Sequence, residues 1–305
     1  MALILFGSIL FILPRFDSVN LMNPSLRMGS YARKRIICNI AISNTTTLKI
    51  LPIIKTYENS TAYGVNYSKY TSYLLERNSF DNLSQFINYV KQKVMSRKII
   101  HQPPGRFLTT VFHFPPYPDM IVPYCDGLWM EFGVFSGHTL NHVARWRSLY
   151  CGNNSGLVYG FDTFTGLPTD WRPGFPKGAF AGNHSQLHIE SNVALVKGLF
   201  IDSLPQELLK HKHTPISYVH IDCDIYEGAR DILFLLASRF VRGTLLIFDE
   251  LFNYSQHGKH EIKALFEFLV ANYNLQLEVL GSAYPIAFDD IEGTWESQST
   301  GFVVV

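Results

Sequence analysis

Four stretches of this chain place carboxylates where apolar runs end. Glu131 opens E-F-G-V-F-S-G-H-T, in which Gly133 and Gly137 are four residues apart, and Asp162 closes L-V-Y-G-F-D 31 residues after Glu131. Asp222 and Asp224 end Y-V-H-I-D-C-D, and Asp249 and Glu250 end L-L-I-F-D-E. A carboxylate at the end of an apolar strand is costly unless it is exposed or bound to a cation. Two adjacent strand ends that both carry acids form an all-oxygen cluster suited to Mg²⁺ or a similar hard cation. The two glycines permit a sharp turn and close backbone approach to a ligand. Their spacing, with no third glycine, is not the dinucleotide pattern G-x-G-x-x-G. An acidic residue at the first position suits instead a ligand with an ammonium group. Asp162 is placed to accept both hydroxyls of a ribose, although an Asx turn or helix cap also accounts for it. His257 follows the Asp249-Glu250 pair on the next loop and is the second candidate, after Asp222, for accepting a proton. His220 is read as a structural residue pointing away from the site.

These residues need elements to hold them. Leu128 to Val134, Leu157 to Phe161, Val193 to Val196, Ile216 to Ile221 and Leu245 to Phe248 are short apolar runs of strand length. Helical periods separate several of them: one begins at Thr139, one covers Glu227 to Ser238 and one covers Gly258 to Ala271. Continuous apolar strands alternating with helices specify an α/β fold with a parallel sheet covered on both faces. In such folds ligands bind at the carboxyl ends of the strands, where all four acidic signals fall. Upstream, Leu83, Phe86, Ile87, Val90 and Val94 follow helical spacing and predict an amphipathic helix over Asn82 to Arg97. The stretch from Arg106 to Tyr124 reads as an irregular connection.

The run from Leu128 to about Leu280 resembles the macrocin-type sugar O-methyltransferases, a class I S-adenosylmethionine-dependent group. The resemblance is carried by E-F-G-V-F-S-G-H-T, Y-G-F-D-T-F-T-G-L-P, K-G-A-F, G-L-F-I-D-S-L-P, H-I-D-C-D-I-Y-E-G-A-R and F-D-E. The most specific of these is F-D-T-F-T-G-L-P, Phe161 to Pro168. The resemblance implies a Rossmann-like sheet of seven strands, one of them antiparallel near the edge. It implies cofactor contacts from Glu131, Phe132, Gly133, Ser136 and Gly137, with Asp162 at the ribose, and Mg²⁺ on Asp222, Asp249 and Glu250. Glu250 departs from the family, which usually has Asp there. A competing reading is a metal-dependent glycosyltransferase of the secretory pathway using Asp222-Cys223-Asp224 as a D-x-D. A non-catalytic binding protein is disfavoured because every acidic position is present.

The chain has 305 residues, 47% hydrophobic, with 26 Lys and Arg against 25 Asp and Glu. A near-neutral balance supplies no field to attract nucleic acid, so the expected partner is a small-molecule or glycan acceptor, with a homo-oligomer left open. The expected organisation is an apolar leader at residues 1–14, an amino-terminal, mostly helical extension at 15–118 and the methyltransferase domain at 119–305. Residues 2–13 are an apolar run shorter than the ~20 residues of a spanning helix. They read as a signal-peptide core or weak membrane anchor, with a docked apolar strand as the alternative. Seven of the 17 asparagines, at 44, 59, 66, 82, 153, 183 and 253, stand in N-x-S/T sequons, where about two are expected. That enrichment favours a lumenal or membrane-associated protein over a cytoplasmic one, with glycans expected among the first four sites and none at Asn253. The four cysteines, at 38, 125, 151 and 223, include no C-x-x-C pair and are read as buried small apolar groups, with a disulfide left open as the alternative.

Overall fold

The computed structural model describes residues 74–96, 123–182, 184–282 and 298–305, together with the backbone of four short strands nearer the amino terminus. Seven strands form one sheet: β1 (Leu128–Phe132), β2 (Val158–Asp162), β3 (Val193–Lys197), β4 (Ile216–Ile221), β5 (Phe240–Phe248), β6 (Leu277–Ser282) and β7 (Thr300–Val304). Their spatial order is β3-β2-β1-β4-β5-β7-β6. Pairing from β3 to β5 is parallel, and β7 runs antiparallel to both β5 and β6. This is the doubly wound, Rossmann-like arrangement with one antiparallel strand beside the edge. The chain order reverses at β1, which has β2 on one side and β4 on the other, and such a switch point opens a crevice at the strand ends.

Helix α1 (Leu83–Ser96) lies within one residue of its expected limits. Asn82 caps it: its Oδ1 accepts the Gln85 N–H at 3.0 Å, while Gln85 Oε1 accepts the Asp81 N–H at 2.7 Å, a reciprocal arrangement close to a capping box. Phe86, Val90 and Val94 are fully buried in the same core cluster as the sheet, and the Phe86 ring meets Phe266 at 5.6 Å. The Leu75 N–H donates to the Leu277 carbonyl at 2.8 Å. Residues 74–96 therefore pack against the domain core, with α1 laid on it by its apolar face. Two antiparallel pairs precede them, Ala2–Phe6 with Ile9–Leu13 and Cys38–Ala41 with Lys49–Pro52. The apolar run at residues 2–13 is thus a strand pair, and among the described residues no helix is long and apolar enough to cross a membrane.

The other helices are α2 (His138–Cys151), α3 (Phe200–Lys210), α4 (Tyr226–Leu236) and α5 (Glu261–Ala271). Alternation along the strands divides the core. Trp129, Val158, Tyr218 and Ile247 pack under α2 through Leu140 and Val143, whereas Phe132, Phe161, Val219 and Phe248 pack against Leu204, Ile232 and Leu265 of α3 to α5. The expectation of four buried, unlinked cysteines fails at two: Cys125 and Cys151 form a disulfide joining the approach to β1 to the last residue of α2. Cys223 is free and buried as expected. The side chain of Cys38 and the connection expected at 106–122 lie outside the described residues.

One contact fixes how closely the loops after β1 and β4 approach. Gly133 has φ +96°, and a Cβ there would stand 1.7 Å from the Asp222 carbonyl oxygen. The Gly133 N–H donates to Phe161 O, and Asp222 N–H to Phe132 O, each at 2.9 Å. Gly133→Ala is expected to lower the melting temperature by about 5 °C or more, since the backbone strain alone costs about 1–3 kcal/mol before the clash. An unchanged thermal unfolding midpoint would show that this approach is absent.

Candidate functional site

Parallel pairing sets Glu131 opposite His220 and His220 opposite Ile247, so Glu131, His220 and, one pleat further on, Asp249 fall in a row across β1, β4 and β5. His220 Nδ1 is 3.1 Å from Glu131 Oε2, and Nε2 faces Asp249 Oδ1 at 3.7 Å, an ion-pair separation. His220 and Glu131 are completely buried. Burial disfavours the imidazolium, but attraction to Asp249 and Glu131 outweighs it and raises the His220 pKa well above its usual value. Burial likewise raises Glu131, against the bond and charge of His220. His220, expected to point away from the site, instead lies between two of its carboxylates.

The acidic cluster lies just beyond. One carboxylate oxygen each from Asp222, Asp249 and Glu250 can lie within 4.8 Å of one another. Burial alone would raise Asp249, but His220, Glu250 and the Ser299 hydroxyl, which donates to Oδ1 at 2.8 Å, hold it below the usual range. Asp222 and Glu250 are less compensated: burial, then repulsion from Asp249, pushes both well upward, although the charge of His220 opposes the rise at Asp222. Glu250 Oε2 is buried and makes no hydrogen bond among the described residues. Two more acids complete the group. Asp224 is buried in a left-handed conformation at φ +65°, and Glu261, at the start of α5, is fully buried with the backbone N–H groups of Cys223 and Glu250 at 3.4 and 3.3 Å. An uncompensated cluster of this kind fits a divalent cation.

The cluster opens into a cavity of about 290 Å³ whose wall includes Gly133, Asp162, Asp222, Asp224 and Glu250. Asp162 ties two loops together. Its Oδ2 accepts the N–H groups of Val134 and Phe135 at 2.8 and 3.2 Å, and its Oδ1 accepts that of Phe164 at 2.7 Å. The last bond is an Asx turn, and a carboxylate's roughly four acceptor positions leave capacity beyond these three. Phe135 and Phe180 form an edge-to-face pair at the mouth, their centroids 5.8 Å apart. Both have positive φ, as does Phe164, a conformation that bulky residues rarely adopt and that clusters at binding sites.

The remaining residues expected at the cofactor stand back from the wall. Phe132 stacks on Phe161 at 4.8 Å in the core. Ser136 is exposed, and Gly137, at φ +73°, forms the turn into α2. Glu131 lies behind the cavity, with an Oε1 that accepts no hydrogen bond among the described residues. His257 is not part of the wall: its Nδ1 is 2.8 Å from the Tyr254 carbonyl and its ring packs against Phe252 and Tyr254. Sequence reading missed Glu261, because an acid in a first helical turn usually signals nothing beyond the helix dipole. It also missed Arg172, which lies over the Trp171 ring at 4.0 Å and the Tyr254 ring at 4.8 Å and lowers the pKa of Asp224 electrostatically.

Residues 130–251 match a family described as a methyltransferase domain, Methyltransf_24, and that span contains every acidic strand end. No curated protein matches the chain significantly. Among solved structures it is similar to CalS11, a calicheamicin methyltransferase (21% identity, 74% of this chain and 87% of that one, TM-score 0.48). It is also similar to the O-methyltransferase NovP (17%, 58% and 71%, TM-score 0.41) and to an O-methyltransferase from Bacillus cereus crystallised with SAH (16%, 73% and 90%, TM-score 0.41). Likenesses this distant carry no chemistry across. The strand order and the domain match together make the fold that of a Rossmann-like methyltransferase.

The crowding of acids sets a pH dependence. Asp224 is raised by burial and Asp249 to about 7, and Glu261 by burial, Asp224 and Asp249 to about 8, from ordinary values of 3.8 and 4.5. Both hold protons more tightly folded than unfolded, so the stability they contribute is complete below about pH 4 and is lost as the pH rises through 7 to 8. The metal-free protein should melt at progressively lower temperature from pH 5 to pH 8, Mg²⁺ should restore the loss at pH 8, and Glu261→Gln should flatten the dependence. A melting temperature that climbs over this range would contradict the arrangement.

Proposed function

We propose that this chain is an S-adenosylmethionine-dependent O-methyltransferase acting on a hydroxyl of a sugar or another vicinal-diol molecule, assisted by a divalent cation. The observation that carries the reading is the convergence of Asp222, Asp249 and Glu250 within 4.8 Å beside the cavity that Asp222 and Glu250 line together with Gly133 and Asp162. The methyltransferase-domain match supports the cofactor, and the resemblance to macrocin-type enzymes supports the acceptor class. The D-x-D reading, a nucleotide-sugar transferase, has no use for the Gly133 loop and Asp162 in this order.

When bound, S-adenosylmethionine supplies an electrophilic sulfonium methyl, and a divalent cation supplies a Lewis acid that favours the ionised acceptor hydroxyl. The chain's own residues do the rest. Gly133 allows the first loop to close on the strand end of Asp222, and Asp162 holds that loop while offering acceptor capacity to a ribose. Glu131, buried behind the loop, holds His220 and through it Asp249. Asp222, Asp249 and Glu250 would hold the cation, with His220 and Ser299 fixing Asp249. Asp222, at the cavity wall, would accept the acceptor's proton. Phe135 and Phe180 screen the reacting atoms from water. Orientation of a chelating diol toward the methyl supplies much of the rate.

Calorimetry should show S-adenosylmethionine binding, and saturable binding of UDP-sugars without it would end this reading. Asp222→Asn should lose more turnover than the ~10²–10⁴ of removing a general base alone, because the cation's hold on the acceptor goes with it. His257→Ala should lose much less. An acceptor lacking the neighbouring hydroxyl should fail mainly in kcat, and equal turnover of the deoxy compound would remove chelation from the mechanism.

A further inference from the structure

The disulfide and the sequon at Asn153 lie at the opposite end of the sheet from the cavity. Helix α2 leaves the carboxyl end of β1 and runs back to Cys151, beside the start of β2. Cys151 is bonded to Cys125 across 26 residues, with Cα atoms 5.4 Å apart. The fold holds the two positions together independently of that bond. Arg147, one turn earlier on α2, donates to the carbonyls of Cys125 at 2.9 Å, Gly127 at 3.3 Å and Ser155 at 2.6 Å, and lies over the Trp129 ring at 5.2 Å. Paired thiols held in this way persist as a disulfide in secretory compartments and are kept reduced in the cytosol.

The structure sorts the sequons by access. Asn153 lies two residues beyond Cys151, exposed in a turn closed by the Ser155 N–H to Gly152 carbonyl bond at 3.1 Å. Asn82 is also exposed, and its helix cap uses only Oδ1, leaving the Nδ2 to which a glycan attaches. Asn253 is only 3% exposed and closed to any enzyme acting on the folded chain. Asn44, Asn59, Asn66 and Asn183 lie outside the described residues. Asn153 is thus an accessible acceptor next to an oxidised cysteine pair, far from the cavity a glycan would obstruct.

We propose that this chain matures in an oxidising, glycosylating lumen and carries N-linked glycans on Asn153 and Asn82, with Asn253 unmodified. The Asn Nδ2 bonds to the sugar C1 of a lipid diphosphate-linked oligosaccharide. The C1–O bond breaks, the lipid diphosphate leaves and the amide loses one proton. The two thiols give up two electrons and two protons to a disulfide-bearing oxidoreductase, which is reduced to its dithiol. The proposal is independent of the reaction catalysed at the cavity.

The test is peptide mapping of the full chain expressed in insect cells, without reduction and after enzymatic deglycosylation in ¹⁸O-water. The expected result is a linked Cys125–Cys151 peptide pair, ¹⁸O-labelled aspartate at positions 82 and 153, and no label at 253. Asn153→Gln should remove one glycan's mass from the intact protein and leave its melting temperature within about 1 °C of the equally deglycosylated parent. Alkylatable thiols at both Cys125 and Cys151, or unlabelled Asn153, would overturn the proposal.

Discussion

The constraint on which the rest of this structure depends is the repulsion among carboxylates brought to one end of a parallel sheet. The β1, β4 and β5 strands end in register, and the loop into α5 adds another acid, so Glu131, Asp222, Asp224, Asp249, Glu250 and Glu261 crowd together beside the cavity. Only part of their charge is answered from within the chain. His220, held between Glu131 and Asp249, settles that pair, and Ser299, delivered by the approach to the antiparallel strand β7, adds a hydrogen bond to Asp249. Arg172 reaches Asp224 from the loop after F-D-T-F-T-G-L-P. Among the described residues Asp222 and Glu250 are the least compensated, and the cavity opens where they lie.

This distribution explains how binding and structure are combined. Removing one partner from a buried ionic network leaves an uncompensated charge, which is more costly than never having built the pair. Asp162 shows the same economy: its three bonds to backbone N–H groups shape the first two loops, and the loops in turn create the cavity it lines. The strained phenylalanines at the mouth belong to the same design, since residues at positive φ persist only where surrounding contacts outweigh the strain.

The strands and their acidic ends were legible in the sequence because an apolar run followed at once by a carboxylate is a strong local signal. Helix α1 was legible from periodicity to within a residue at each end. Helix α3 was not assigned, because Pro205 in its first turns and a short apolar face weaken the pattern. Strands β6 and β7 were expected only through the resemblance, since antiparallel insertion of β7 between β5 and β6 leaves no mark on either segment. The partners of His220 and the place of Glu261 depend on register between strands far apart in the chain. The disulfide had no spacing motif to announce it, and only the antiparallel return of α2 brings residues 125 and 151 together. His257 shows the converse: adjacency in sequence to an acidic strand end did not bring its ring to the cavity.

The central claim is that these acids form one divalent-cation site beside the cofactor cavity. Anomalous diffraction from crystals grown with Mn²⁺ and S-adenosylhomocysteine tests it most directly. The account predicts a single strong manganese peak within coordinating distance of Asp222, Asp249 and Glu250, next to a nucleoside in the cavity that Asp162 lines. A well-ordered nucleoside with no manganese peak at those three carboxylates, or a peak elsewhere on the protein, would contradict it.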